Sequence, residues 1–260
     1  MAAIAAQLLT QDDLGAYFLV ISLITVGSVV GQIGLSRSLL RAVATAAETK
    51  DTVGVRVNAM AGLALGSIGA LCVVSAVGVG ATLMGLSPIA AISIAVWLFA
   101  VALVGWMGEV LRGLHRIGAS SLLSGGQLGG GLAAIAGCAL LFVVAARQPD
   151  VALEGLLLLL ALVAFANLGV SATMVWQALP SAAVTPTKIA RSARAILAPA
   201  PMTLSENLTY IATRQVDIVL VALVFPLPEV ALYGVATRLA AILAMVPALG
   251  STLFSATIAQ

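Results

Sequence analysis

The sequence has very few charged side chains. Only 8% of its 260 residues are Asp, Glu, Lys or Arg, against about 25% in an ordinary soluble domain. Aromatic residues are also scarce, at 5%, whereas hydrophobic residues make up 62% and the mean hydropathy is +1.16. A soluble fold of this length has no means of burying so much apolar surface. The composition therefore excludes a soluble enzyme, a secreted disulfide scaffold and a nucleic-acid-binding protein, and it predicts an all-α, polytopic transmembrane helix bundle.

Residues that hold metals or cofactors are nearly absent as well. Cys72 and Cys138 lie within apolar runs, and His115 has no Cys, His or carboxylate at ligand spacing. The chain has no GxSxG, Walker A or HExxH motif and no Asp-x-Asp cluster. We therefore expect no cofactor, no bound metal, no enzymatic activity and no step driven by ATP bound to this chain.

Long apolar runs make up most of the chain. A window of about 19 residues separates seven complete spans, while Met1–Leu9 is apolar but too short to cross a bilayer core. Turn-forming residues lie between the runs, as in Gly85-Leu86-Ser87-Pro88. The predicted spans are 14–41, 56–83, 88–112, 119–146, 151–178, 197–225 and 229–257.

Basic residues are distributed unevenly between alternate loops. Nine lie in one set of loops and only Arg147 lies in the other set, and an excess of Lys and Arg is typical of cytoplasmic loops. We therefore predict a multi-pass protein of the cytoplasmic (inner) membrane, with the loops around 42–55, 113–118 and 180–195 facing the cytoplasm. The nine residues are Arg37, Arg41, Lys50, Arg56, Arg112, Arg116, Lys188, Arg191 and Arg194.

The predicted span 197–225 carries a polar stripe. Its members recur at helical spacing and fall within an arc of roughly 80°; they are Glu206, Tyr210, Arg214 and Asp217. Charges deep in a bilayer cost ~2.5–3.5 kcal/mol each, so we expect these groups to face a cavity or one another. One interpretation is a water-filled cavity for a polar or anionic substrate. The other is a structural cluster in which the two carboxylates neutralise Arg214.

Neighbouring spans add three further candidates. Arg238 lies ~14 Å into the last span, and its planar guanidinium suits bidentate contact with phosphate. The alternative is that Arg238 caps the carbonyls of a neighbouring helix. Gln32 is the one large polar side chain on a weaker polar stripe of the first span. Arg37 lies at the cytoplasmic end of that span, where snorkelling to lipid headgroups and a role at a cavity mouth fit the pattern equally well.

Two segments of the chain resemble each other. An acidic residue stands four positions before Tyr17 and another four before Tyr233, and a glycine lies seventeen residues after each tyrosine. An even number of spans separates the copies, which predicts parallel repeats related by an axis along the membrane normal. A complete span precedes Tyr233 but only nine apolar residues precede Tyr17, so we expect a chain truncated at both ends relative to its architecture.

Three segments resemble the polysaccharide-flippase branch of the MOP superfamily, the Wzx-like O-antigen and exopolysaccharide transporters. The first is the acidic turn with Gly-x-Tyr within 8–17, and the second is the Gly-Leu pair with the basic residues of 34–41. The third is Asp217 with the apolar run after it and the Tyr-x-x-x-x-Arg-Leu pattern of 233–239.

The resemblance implies a MATE-like bundle with two six-helix lobes around a central cavity. On this basis 1–178 is the N-terminal lobe, made of a remnant of the first helix and five spans. Residues 179–196 form a cytoplasmic linker, and 197–260 hold the first two helices of the C-terminal lobe.

The resemblance also implies a function, the translocation of undecaprenyl-diphosphate-linked oligosaccharide for polysaccharide and lipopolysaccharide biosynthesis. Its implied partners are the lipid bilayer, the lipid-linked saccharide and other polysaccharide-assembly membrane proteins. The implied contacts are Arg37, Arg214 and Arg238 for the anion, Glu206, Tyr210 and Gln32 for the polar lining, and Asp217 at the family's acidic position. A cation-coupled multidrug antiporter of the MATE branch and a non-transporting membrane fragment remain as alternatives.

Overall fold

The computed structural model describes residues 2–32, 34–83, 86–124, 131–147 and 152–241, and all regular structure within these ranges is helical. This confirms the all-α class. The helices are α1 (Ala2–Leu8), α2 (Gln11–Gly31), α3 (Ser36–Glu48), α4 (Thr52–Leu83), α5 (Pro88–Gly113), α6 (Ile117–Ser124), α7 (Gly131–Arg147), α8 (Leu153–Ala178), α9 (Pro186–Leu197) and α10 (Ala200–Val224). A further helical stretch at 227–241, here α11, lies after α10.

Four helices in the described ranges are long and apolar enough to cross a membrane, which supports the prediction of a helical membrane protein. They are Gln11–Gly31, Thr52–Gly80, Pro88–Gly113 and Leu153–Ala178. Each corresponds to a span that the sequence predicts. The predicted span 119–146 contains α6 and α7, and residues 125–130 between them lie outside the described ranges. Residues 242–257 of the last predicted span also lie outside them.

The first span is shorter than the sequence predicts. α2 ends at Gly31 and α3 begins at Ser36, and Gly34 between them has a φ of +65°. Glycine adopts this left-handed conformation at little cost, and the conformation ends the helix. The prediction of one helix over 14–41 is therefore wrong. α3 is a separate amphipathic helix whose Leu39 and Val43 are fully buried.

The predicted linker 179–196 also contains a helix. α9 packs against α3 and α4, and its Ile196 is buried. Its basic residues lie on the other side and are exposed. The segment thus contains an amphipathic helix docked on the bundle, with apolar positions that recur at helical spacing.

The turn residues between the apolar runs act as helix caps. Thr10 caps α2, where its Oγ1 accepts a hydrogen bond from the backbone N–H of Asp13 at 3.2 Å. Asp13 in this first turn also interacts favourably with the positive end of the helix dipole. Ser87 caps α5 in the same way, with Pro88 at the first helical position. These caps explain why α2 and α5 begin where the hydropathy pattern places them.

Buried apolar side chains form two clusters along the bundle. The larger cluster includes Tyr17, Trp97 and Ile218. The smaller cluster includes Leu39 and Trp106 and lies where α2 finishes and α10 begins. We call this second region the basic end, because the nine basic loop residues identified in the sequence belong to the connections there.

Glycines of α4 allow α3 and α5 to pack closely against it at the basic end. A Cβ on Gly62 would lie 2.7 Å from Leu39 Cδ1, and a Cβ on Gly66 would lie 2.5 Å from Trp106 Nε1. Trp106 is only 2% exposed and occupies the space that these glycines leave. Small residues at four-residue spacing are typical of such close approach between membrane helices.

We expect Gly66→Leu to lower the free energy of unfolding by about 1–3 kcal/mol, because the new side chain overlaps the indole of Trp106. Adding Trp106→Ala should relieve part of this loss, since it removes the group that is overlapped. Denaturant unfolding of the purified chain measures both effects. Gly78→Leu is the control, because a Cβ at Gly78 has no atom of another described helix within 4 Å. Strictly additive losses in the double variant would contradict the contact.

Candidate functional site

α10, the helix that carries the polar stripe, packs lengthwise against α2. At one end a Cβ on Gly34 would lie 2.3 Å from the backbone nitrogen of Leu204, and at the other end a Cβ on Gly15 would lie 2.0 Å from the carbonyl oxygen of Leu227. Gly15 is near the start of α2, and Leu227 lies just beyond the end of α10. The two helices are therefore antiparallel, and glycine at both positions permits backbone-to-backbone contact.

At the basic end, Arg37 and Glu206 form an ion pair between Nη1 and Oε2. Arg37 belongs to α3, just after the break at Gly34, and Glu206 lies in the second turn of α10. The two side chains are 66% and 43% exposed, so the pair contributes little to stability. Because Glu206 pairs with Arg37, the side chain of Glu206 faces α3. An anion that binds Arg37 must therefore compete with the Glu206 carboxylate.

Toward the other end of α10, Asp217 accepts a hydrogen bond from the hydroxyl of Tyr233 at 3.1 Å. Its second carboxylate oxygen accepts from the backbone N–H of Ile218. In the sequence, Tyr233 stands out as one copy of the repeat and as the start of the Tyr-x-x-x-x-Arg-Leu pattern, but it is not a candidate site residue. The signal that could have identified it is the acid–tyrosine repeat, since it places a tyrosine one helix after Asp217.

Arg238 lies on α11, next to α2. Tyr17 of α2 is fully buried, and its hydroxyl has no hydrogen-bond partner among the described residues. One turn before Arg238, a Cβ on Gly234 would lie 2.4 Å from the ring of Phe18. Leu227 contacts Gly15 and Gly234 contacts Phe18, so the contacts advance in the same order along both segments. The two tyrosine-bearing helices of the repeat therefore lie side by side and run in the same direction.

Gln32 lies apart from the other candidates. Its backbone N–H caps α2 by donating to the carbonyl of Ser28, and its Oε1 accepts from Ser36 Oγ at 3.0 Å. Its amide nitrogen would be 2.5 Å from a Cβ on Gly105 of α5. Gln32 thus bridges the break between α2 and α3 on the side of α5, whereas Arg37 faces α10.

The side chains of Tyr210 and Arg214 lie outside the described part of the structure, although both residues are within α10. Arg214 stands between Glu206 and Asp217 along the helix, and these two carboxylates are separated by ~16 Å of helix rise. The described partners of the carboxylates are Arg37 and Tyr233. The pairing with Arg214 that the structural-cluster interpretation requires involves a side chain outside the described part of the structure.

We refer to the charged and polar groups distributed along α10 and on the neighbouring α3 and α11 as the polar junction. It comprises Arg37, Glu206, Asp217, Tyr233 and Arg238. A separate polar cavity of about 620 Å³ lies between α3, α4 and α9. Its polar lining is Ser38, Arg41, Thr45, Thr49, Asp51, Asn58 and Ser192. In the described ranges, no group of three His, Cys, Asp or Glu side chains is arranged to hold a metal ion.

The fold and the polar junction define an α-helical membrane protein in which charged side chains from distant parts of the sequence meet on neighbouring helices. Comparison with protein-family models, curated proteins and solved structures finds no match to this chain. The function is therefore inferred from the contacts of the polar junction together with the sequence.

Proposed function

We propose that the protein is a transporter that moves undecaprenyl-diphosphate-linked oligosaccharide across the cytoplasmic membrane, with its basic end toward the cytoplasm. The polar junction carries this proposal. Arg37 and Glu206 pair across α3 and α10, and Tyr233 donates a hydrogen bond to Asp217 across α11 and α10. Charged residues within membrane helices are costly and mark substrate or ion pathways more often than they serve stability.

The arrangement suits a diphosphate headgroup that enters from the basic end. The Arg37–Glu206 pair is exposed, so breaking it costs at most about 1 kcal/mol. A diphosphate carries more charge than one carboxylate and offers several acceptor oxygens for the guanidinium of Arg37. Arg214, further along α10, and Arg238, on α11, provide two more cations to bind the headgroup as it crosses.

A cation-coupled antiporter of the MATE type is the second candidate. The observation that favours it is Asp217, whose described hydrogen bonds come from a neutral hydroxyl and a backbone N–H. A carboxylate held in this way in a membrane helix is available to bind a proton or a metal cation. The greater number of arginines in and near the polar junction favours anionic cargo.

Reconstitution into proteoliposomes tests the proposal directly. We expect the purified chain to carry fluorescent undecaprenyl-diphosphate-linked oligosaccharide between leaflets, measured as loss of label accessible to an external enzyme. A cationic dye loaded under a sodium or proton gradient should not move faster than in empty vesicles. Transport of the dye without the lipid would favour the antiporter. Transport of neither cargo by a folded, monodisperse chain would overturn the proposal in favour of a non-transporting membrane protein.

A further inference from the structure

α9 presents a concentrated positive charge at the basic end. Lys188, Arg191 and Arg194 recur every third residue, lie on one face of the helix and are all exposed. The opposite face, which includes Ile189 and Ile196, packs into the smaller apolar cluster. No acidic residue occurs between Glu154 and Glu206. This long stretch therefore carries basic charge with no carboxylate of its own to neutralise it.

A tryptophan–arginine pair marks the level of the lipid headgroups at this end. Trp176 lies near the end of α8 and is 62% exposed, whereas Trp97 and Trp106 are each 2% exposed. The guanidinium of Arg56 lies 5.6 Å from the centre of the Trp176 ring, and its Nη1 donates to the carbonyl of Pro180. Exposed tryptophan and arginine at a helix end are typical of the membrane–water interface.

Asn58 holds α9 at the same level. It lies two residues after Arg56 on α4, and its Oδ1 accepts from Ser192 Oγ of α9 at 2.6 Å. Its Nδ2 donates to the carbonyl of Ala42 in α3 at 2.9 Å. The side-chain amide of Asn58 thus hydrogen-bonds to both amphipathic helices, α3 and α9. These contacts lie within about one helical turn of the Trp176–Arg56 pair. The exposed basic face of α9 is placed by this contact at headgroup depth.

We propose that the basic face of α9 binds the phosphate headgroups of anionic phospholipids in the leaflet at the basic end. A helix with an apolar face packed inward and Lys and Arg on its outer face at headgroup depth is suited to such lipids. The cavity between α3, α4 and α9 adjoins this face, and Arg41 contributes a further guanidinium to it. Asp51 also lines the cavity, but its carboxylate accepts from the N–H of Gly54 at the start of α4. Lipid binding at α9 does not depend on transport.

Quenching of Trp176 fluorescence tests the site in the full-length purified chain. Mixed micelles containing brominated phosphatidylglycerol or brominated phosphatidylcholine are titrated, and the half-saturating lipid fraction is measured. Trp97 and Trp106 are buried by protein, and Trp176→Phe identifies the signal that belongs to Trp176. The test variant is Arg191→Gln with Arg194→Gln. The matched control is Lys50→Gln with Arg116→Gln, which removes two exposed cations from other connections at the basic end.

We expect the wild type to prefer phosphatidylglycerol over phosphatidylcholine. The test variant should bind phosphatidylglycerol about thirtyfold more weakly, because each basic residue near an anionic surface contributes about fivefold. The control should keep most of the preference. An unchanged preference in the test variant, or an equal loss in the control, would overturn the site. Competition by inorganic phosphate at millimolar concentration would show a site for the free anion and would overturn the assignment to lipid.

Discussion

Gly34→Ala is expected to lower the free energy of unfolding by about 3 kcal/mol or more. Two independent costs add at this position. A left-handed backbone costs an alanine roughly 1–2 kcal/mol, and the φ of Gly34 is +65°. The new Cβ would also lie 2.3 Å from the backbone nitrogen of Leu204 and 2.6 Å from the carbonyl oxygen of Ala200. Overpacking against backbone costs about 1–3 kcal/mol more, because the start of α10 has no flexible side chain there to move.

Denaturant unfolding of the purified chain in a fixed detergent measures this loss. Gly78→Ala in α4 is the control, since a Cβ there has no atom of another helix within 4 Å in the described part of the chain and alanine favours a helix over glycine by about 1 kcal/mol. The two variants should therefore change stability in opposite directions. A Gly34→Ala chain as stable as the wild type would show that α10 does not pack on the break between α2 and α3.

Replacing both Arg214 and Arg238 by alanine is expected to reduce translocation of lipid-linked oligosaccharide by about a hundredfold or more. A hydrogen bond to a charged group contributes about 1.5–3 kcal/mol, and each 1.4 kcal/mol is about tenfold in affinity. Two arginines that bind the same diphosphate therefore account for at least two factors of ten. The initial rate in proteoliposomes at low substrate concentration is the measurement.

Two further double variants make the result specific. Lysine at both positions keeps the charge but loses the planar fork of donors, so we expect an intermediate rate. Lys50→Ala with Arg116→Ala removes two cations at the basic end and should leave the rate near that of the wild type. Export at the wild-type rate by the Arg214→Ala, Arg238→Ala chain, with folding verified by its thermal unfolding, would remove these arginines from the substrate path.

Hydropathy and turn chemistry are local properties, and they predicted the helical membrane class and most span boundaries. The prediction of 88–112 agrees with α5 because Ser87 and Pro88 specify a helix start without help from the rest of the chain. The prediction of 14–41 failed for a local reason that hydropathy does not register. Gly34 interrupts the helix, yet Leu35 and Leu39 continue the apolar pattern because they pack inward at the basic end.

The partners of the polar residues depended on tertiary packing. Spacing along α10 placed Glu206, Arg214 and Asp217 on one face, but it left open whether these groups face a cavity or one another. The structure pairs Glu206 with Arg37 and Asp217 with Tyr233, from other helices of the bundle, and the side chain of Arg214 lies outside the described residues. The tyrosine repeat contained a hint of the second contact, whereas nothing in the local sequence indicated the first.

By itself the sequence determined that this chain forms apolar helices, where most of them begin, and which connections carry the basic residues. These features arise because charges and unpaired backbone groups are costly in hydrocarbon. Each segment bears this cost independently of the rest of the fold, so its own sequence is sufficient to predict them. Only the tertiary structure decided that α3 and α9 are docked amphipathic helices and that α2 packs against both α10 and α11. Contacts as close as Gly34 against Leu204 and Gly234 against Phe18 form only when separate helices pack against each other. The sequence of one segment does not determine which helix will pack against it.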